Sequence, residues 1–193
     1  MMGECWKMLL AAQYYDLSNA ELVELAQARD RLAYDVLFRR YDARICTYLA
    51  RIVGNDEIGR DLAQETFLKV WQALPRLQGE KKFEAWLYRI AGNAARDHLR
   101  HKQLIQWLPW EENSKWAEDK RMKAIEDQEL LKFALAQVPI KYRQSVILRV
   151  VEGRSHREIA EILDIDEKSV SVYVKRGLEK LRFLLAKYNE LTE

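Results

Sequence analysis

His156-Arg157-Glu158-Ile159-Ala160-Glu161-Ile162-Leu163-Asp164-Ile165-Asp166-Glu167-Lys168-Ser169-Val170-Ser171-Val172-Tyr173-Val174-Lys175-Arg176 is the stretch that decides the fold. Ile159, Ala160, Leu163, Ile165, Val170 and Val174 have the spacing of two short helices packed across a tight turn. Ala160 falls where the helices cross, and a larger side chain there would push them apart. Ile165 plugs the turn, while Val170 and Val174 seat the second helix on the first. Asp164 stands where such turns commonly carry Gly, and Asp tolerates the left-handed conformation better than most residues. Lys168, Ser169, Ser171, Val172, Lys175 and Arg176 are left facing outward, a mixture of base-reading and phosphate-binding types. An ordinary αα-hairpin would share the periodicity; the basic second helix favours a DNA reader.

The helical period extends upstream from this unit. Tyr142, Val146, Ile147, Val150 and Val151 predict a helix closed by Gly153, and Ile125, Leu131, Leu135 and Val138 predict one ended by Pro139. Helices are expected over Ser155–Leu163 and about Glu167–Lys187. Further back, Ala33, Val36, Leu37, Tyr41, Ile45, Tyr48, Leu49, Ile52 and Val53 form one apolar stripe of more than five turns. Gly54-Asn55-Asp56 breaks it, with Asp56 as the expected N-cap of the next helix. That helix would bury Ile58, Leu62, Thr66, Val70 and Leu74 and stop before Pro75. A polar loop follows from Arg76 to Lys82, then a helix with Phe83, Trp86, Leu87, Ile90, Ala91 and Ala94 on one side. No stretch alternates as a strand would, and Gly 7 with Pro 3 is too few turn residues for a sandwich or barrel. The fold class is therefore all-α. From Gln103 to Lys123 the pattern lapses, and Trp107, Trp110 and Trp116 sit among acids. The expected organisation is an N-terminal extension (1–15), a helical domain (16–103), a linker (104–123) and a second helical domain (124–193).

Composition narrows the function classes. With 193 residues, 49% hydrophobic and 32% charged, the chain can fold into one or two domains. No run reaches the roughly 18 apolar residues of a membrane span, no signal peptide is read at the N-terminus, and a cytoplasmic protein is expected. Cys5 and Cys46 make neither a disulfide framework nor a ligand pair. The net charge is only +2, but its distribution is uneven. Lys81 to Lys102 holds six Lys/Arg, and Lys168 to Lys187 holds six more, with an acidic segment between them. That layout suits two contacts on a polyanion, although solvated helix faces would look alike. His98 and His101 with Asp97 are the one candidate metal cluster, short of the three or four converging ligands usual for a site. No phosphate cradle or nucleophile elbow is present, so neither an enzyme nor a cofactor is expected.

Two further helix faces stand out. Arg89, Asn93, Arg96 and Arg100 step by four, three and four, forming a row opposite the Trp86/Ile90 side. Guanidinium groups with an Asn between them suit a nucleic-acid backbone and its bases. Asp61, Gln64, Glu65 and Leu68 share a face turned away from Ile58 and Leu62. Taken alone, each is equally a solvated surface.

The run Asp56 to Trp71 (DEIGRDLAQETFLKVW), then Phe83 to Asn93 (FEAWLYRIAGN), then the helix-turn-helix, together resemble the extracytoplasmic-function sigma factors, small bacterial specificity subunits of RNA polymerase. The likeness runs from about Leu22 to Leu185. It implies that Asp61, Gln64, Glu65 and Leu68 dock on the β′ clamp helices of core RNA polymerase. It implies that the loop Leu77–Lys82 captures a flipped minus-ten base, giving Gln78, Lys81 and Lys82 a role beside Arg89, Asn93, Arg96 and Arg100 on the melted strand. The helix-turn-helix would read the minus-thirty-five duplex through Arg149, Arg157, Lys168, Ser169, Ser171, Val172, Lys175 and Arg176. The linker would thread toward the active-site cleft and RNA exit channel. The implied partners are core RNA polymerase (β′ clamp helices and β flap), promoter DNA and an anti-sigma factor. Ser171, Val172 and Lys175 depart from residues common in the family, so its promoter preference does not carry over. Met1 to Tyr15 has no counterpart in the motif core, and no appended C-terminal domain is expected. A stand-alone helix-turn-helix regulator is the alternative; it leaves the Asp61–Trp71 and Phe83–Asn93 strings without a purpose.

Overall fold

A computed structural model describes residues 13–77, 83–106 and 127–190, and no strand occurs among the described residues. The N-terminal half contains α1 (Asn19–Gln27), α2 (Arg31–Val53), α3 (Asp56–Ala73) and α4 (Phe83–Gln106), with a 3-10 turn at Leu74–Arg76. The C-terminal half contains α5 (Asp127–Ala136), α6 (Ile140–Val146), α7 (His156–Leu163) and α8 (Glu167–Glu190). The expected linker lies mostly outside the described residues, except that α4 continues past residue 103 to Gln106.

Local chemistry sets the helix ends. Ser18 and Glu21 form a capping box on α1, and Ser155 and Glu158 form another on α7. Asp30 accepts the Leu32 and Ala33 N–H groups at 2.8 and 3.1 Å to start α2. Gly54 ends α2 with φ 74°. The cap of α3 is Asn55, whose side chain accepts from the Ile58 N–H at 2.8 Å, and not Asp56. Asp56 is the first helical residue, where its charge favours the helix N-terminus. At the other end of α3, Pro75 enters the 3-10 turn, where a missing N–H costs nothing.

Packing of α2, α3 and α4 builds the first domain. Tyr48 of α2 and Tyr88 of α4 are fully buried edge to face, 5.1 Å apart. Gly59 marks the closest approach of α3 to α2. A Cβ there would lie 2.6 Å from the Ala50 backbone. Gly59→Ala is expected to force the helices apart and cost about 1–3 kcal/mol by overpacking. That lowers Tm by roughly 2–12 °C for a chain of this size. A thermal melt followed by circular dichroism checks this, and an unchanged Tm would contradict the close approach.

In the second domain, α5 and α8 share a small core of Ala134, Val138, Leu184 and Tyr188. Two expectations change here. Leu131 is exposed, and Leu130 and Ala134 make the inward face of α5 instead. Val150 is 61% exposed and Val151 is exposed beside it, because α6 continues as a π-helical segment over Ile147–Val151. The wider turn rotates Ile147 and Leu148 inward and the two valines out.

The halves are docked on each other. A single apolar cluster runs from Leu22 through Tyr88 to Ile147, Leu148, Ile159, Ile162 and Val174. Among the described residues, no helix is long and apolar enough to cross a membrane.

Candidate nucleic-acid and polymerase interfaces

The helix-turn-helix is assembled by its caps and plugs. Asp164 takes the left-handed conformation with φ 57°, and the Ile165 N–H donates to the Ala160 carbonyl at 3.1 Å. Ile159, Val170 and Val174 are buried, whereas Ala160, Leu163 and Ile165 are half-buried against the same core. Ile162, absent from the expected set, is buried with them. On α8, Lys168, Ser171, Val172, Lys175 and Arg176 are exposed and Ser169 is half-buried. Arg149 and Arg157 are exposed on the flanking elements, Arg149 donating to the Arg154 carbonyl at 2.9 Å. Arg176 donates to the Tyr142 hydroxyl at 3.3 Å, which lowers the phenol's pKa. Lys141 lies 4.9 and 5.4 Å from the Tyr142 and Tyr173 rings. This adds Lys141 to the basic edge beside Arg176. Sequence spacing did not bring it forward because it belongs to another helix.

A second surface lies on α3. Asp61, Gln64 and Glu65 are exposed, and Leu68 is 62% exposed, a large apolar side chain left open to solvent. Glu65 pairs with Lys69 at 3.8 Å, a solvated pair of little energetic weight. Beside them a groove of about 560 Å³ is lined by Arg31, Tyr34, Phe38, Gln64, Leu68 and Trp71, among others. Tyr34 and Trp71 lie 4.8 Å apart, and the Arg29 guanidinium stands 5.2 Å from the Trp71 ring. An exposed leucine beside a half-buried tryptophan, rimmed by polar residues, has the composition common at protein-docking sites. The aromatic wall was missed from sequence because Tyr34 and Phe38 come from α2.

The row on α4 is not uniform. Asn93, Arg96 and Arg100 are exposed, with Arg96 donating to Asn93 and Arg100 paired with Asp97 at 3.1 Å. They line a crevice of about 870 Å³ whose opposite wall includes Gln137, Pro139 and Arg143. Arg89 departs from the expected solvent-facing row. It donates to the Glu161 carbonyl and lies 3.7 Å from Asp164 in the turn of the helix-turn-helix. Gln78, Lys81 and Lys82 lie outside the described residues, as do Trp107, Trp110 and Trp116.

Polar groups fasten the domains around this contact. Arg154 makes a bidentate ion pair with Glu84, and Arg44 bridges Glu84 and Glu152 at 3.2 Å each. The Tyr88 hydroxyl donates to Glu152 at 2.5 Å; burial and that carboxylate raise the tyrosine's pKa. Gln144 donates to the Gly92 carbonyl at 2.9 Å. Arg143 is buried and donates to the carbonyls of Ile52, Ala136 and Val138. It thereby serves the C-terminal ends of α2 and α5, one in each domain. Burial pushes its pKa down to about 10. His98 and His101 acquire no further ligand: no group of three or more His, Cys, Asp or Glu able to hold a metal ion occurs among the described residues.

Fold and surfaces together define an all-helical, two-domain protein with a basic helix-turn-helix and a separate, partly apolar groove on α3. The sigma-70 region 2 family matches residues 37–105, and the sigma-70 region 4 family matches residues 128–181. The RNA polymerase sigma factor CarQ of Myxococcus xanthus is 36% identical over 157 residues, covering 79% of this chain and 89% of that protein. The ECF RNA polymerase sigma factor SigE of Mycolicibacterium smegmatis is 33% identical over 166 residues, covering 83% and 64% respectively. CnrH, solved in complex with the cytosolic domain of CnrY, shares the fold with a TM-score of 0.66 at 21% identity, covering 88% of this chain and 97% of that one. The chain belongs to the extracytoplasmic-function group of the sigma-70 family, and it is a promoter-directing sigma factor.

Proposed function

We propose that the three surfaces divide the work of initiation as follows. The exposed face of α3, with Asp61, Gln64, Glu65 and Leu68, docks on the β′ clamp helices of core RNA polymerase. Arg89, Asn93, Arg96 and Arg100 hold the melted minus-ten strand, with Gln78, Lys81 and Lys82 of the preceding loop receiving an extruded base. Region 4 sits against the β flap and reads the minus-thirty-five duplex through Lys168, Ser169, Ser171 and Val172. Lys175, Arg176, Arg149 and Arg157 grip its phosphates. The working divisions are residues 16–103 and 124–193, joined by 104–123. The protein acts in the cytoplasm, carries out no catalysis of its own and needs no cofactor. The observation that carries this reading is the pairing of an open, Leu68- and Trp71-bearing groove with a basic recognition helix in one chain. A DNA-binding regulator has no use for the former. Run-off transcription with core polymerase tests it directly.

Phosphate and base contacts separate by their salt dependence. Arg176→Ala is expected to weaken binding to all duplexes alike and to lower the slope of log K against log salt by about one unit. Ser169→Ala is instead expected to cost about 1–3 kcal/mol at one base position with the slope unchanged. Fluorescence anisotropy at several salt concentrations measures both, and the opposite pattern would reverse the two roles. An anti-sigma partner is part of the same reading. Promoter activity in cells that simply tracked the abundance of this chain under all conditions would remove it.

A further inference from the structure

We infer that the N-terminal segment of this chain, residues 1–12, docks in the groove between α2 and α3 and competes there with core RNA polymerase. That polymerase is the competitor rests on the proposed role of the α3 face; occupancy of the groove does not. The segment precedes the described residues, and the chain's path into it is set by four hydrogen bonds. Asn19 donates to the Tyr41 hydroxyl at 2.7 Å, and Arg40 donates to the Leu17 and Tyr15 carbonyls at 2.7 and 2.8 Å. The Tyr14 hydroxyl then donates to Asp30 at 2.7 Å. Followed toward its N-terminus, the chain thus travels along α2 toward the start of that helix. The groove opens at the same place. Arg29, one residue before Asp30, donates to the Trp71 carbonyl and stands over the Trp71 ring, and Arg31, one residue after it, lines the groove.

The chemistry of the segment matches the groove. Met1, Met2, Trp6, Met8, Leu9 and Leu10 are apolar, and Glu4 and Lys7 are its charged side chains. The groove offers Phe38, the exposed Leu68 and the half-buried Trp71, with Arg31 and Asp35 at its rim. Tryptophan anchors and adaptable methionines suit an irregular aromatic wall of this kind, and the two charges find opposite signs at the rim. Residues 13–15 are helical, and Tyr14 packs on the core of the first domain. Trp6, Leu10 and Tyr14 step by four, so a helix continued upstream would carry all three on its packed face. Trp6 stands about 12 Å from Tyr14 along a helix, or about 28 Å along an extended chain. Both distances are compatible with a groove that begins beside Asp30. The short tether holds the segment at an effective concentration on the order of millimolar, so a weak contact is enough to keep it seated. While it is seated, Leu68 and Gln64 are covered, and polymerase must displace it to reach α3.

The segment carries its own probe in Cys5. The test uses the full-length chain with Cys46→Ala, which leaves Cys5 as the one native thiol, and adds Gln64→Cys in the groove. Ala43→Cys in the same background is the control for random reach: it is exposed and one helical turn from Arg40, beside the segment's anchor but outside the groove. In dilute protein, oxidation should join Cys5 to the thiol introduced at position 64 about tenfold faster than to the one at position 43, as the local concentrations differ. Equal rates would overturn the proposal, and disulfide-linked dimers in place of a closed monomer would assign the groove to a second copy instead. Deletion of residues 2–12, which keeps Tyr14 and its anchor, tests the competition. If the segment is seated about nine-tenths of the time, the deletion should tighten binding to core polymerase about tenfold. Unchanged or weaker binding would overturn the competition. If Leu68→Asp leaves the affinity of the full-length chain for polymerase unchanged, the assignment of the α3 face fails instead, and the thiol rates still decide whether the segment occupies the groove.

Discussion

Replacing Asp61, Gln64 and Glu65 together by Ala is expected to abolish co-purification with core RNA polymerase. All three side chains are exposed, and the Glu65–Lys69 ion pair is solvated, so the fold loses almost nothing. Truncating a hot-spot residue of an interface costs about 2 kcal/mol or more, whereas its neighbours are near neutral. One or two hot spots among the three, on the face that carries the exposed Leu68, reduce affinity about 30- to 1,000-fold. Pull-down at fixed polymerase concentration measures it, alongside circular dichroism to show intact helices. Retention of normal co-purification would sink the α3 face as the docking site.

The second large effect concerns strand separation. Opening a promoter costs base stacking of about 1.4 kcal/mol per step. This chain carries no nucleotide-hydrolysis motif, so the cost must be offset by binding the melted strand better than the duplex. Pocketing or stacking one base contributes roughly 1–3 kcal/mol, and Asn93, Arg96 and Arg100 stand exposed to add polar contacts. Asn93→Ala is therefore expected to reduce transcription from duplex promoters about tenfold. Much of that loss should return on a template already mismatched across the minus-ten element. An equal defect on both templates would leave these residues only a general affinity for DNA.

Local chemistry was legible in the sequence; contacts across the chain were not. The helix-turn-helix could be read because Ile159, Ala160, Ile165 and Val170 obey a short-range spacing, and Asp164 adopts the left-handed turn that its residue type permits. The Ser155/Glu158 capping box is likewise a four-residue pattern, and with Ser155 as the cap the helix begins at His156, one residue after the expected start. Val150 and Val151 misled because a period of 3.6 assumes an unbroken α-helix, and a π-helical segment shifts the register by one residue. Leu131 misled because two adjacent leucines fit the same stripe, and packing on α8 selects Leu130. Arg89 misled most. Its spacing with Asn93, Arg96 and Arg100 is that of a solvent-facing row, but its partners are 72 and 75 positions away. No local pattern encodes such a contact, nor the pairing of Arg154 with Glu84. The α3 groove divides in the same way. Gln64 and Leu68 came from one helix face, while Tyr34 and Phe38 needed α2 to be laid beside it.

The most direct measurement is run-off transcription from a randomised promoter library, using core RNA polymerase with and without the purified chain. The account predicts transcripts that depend on the chain and start downstream of two conserved elements, spaced as minus-ten and minus-thirty-five. A chain that binds one duplex element specifically, yet yields no transcript above core polymerase alone, would contradict it.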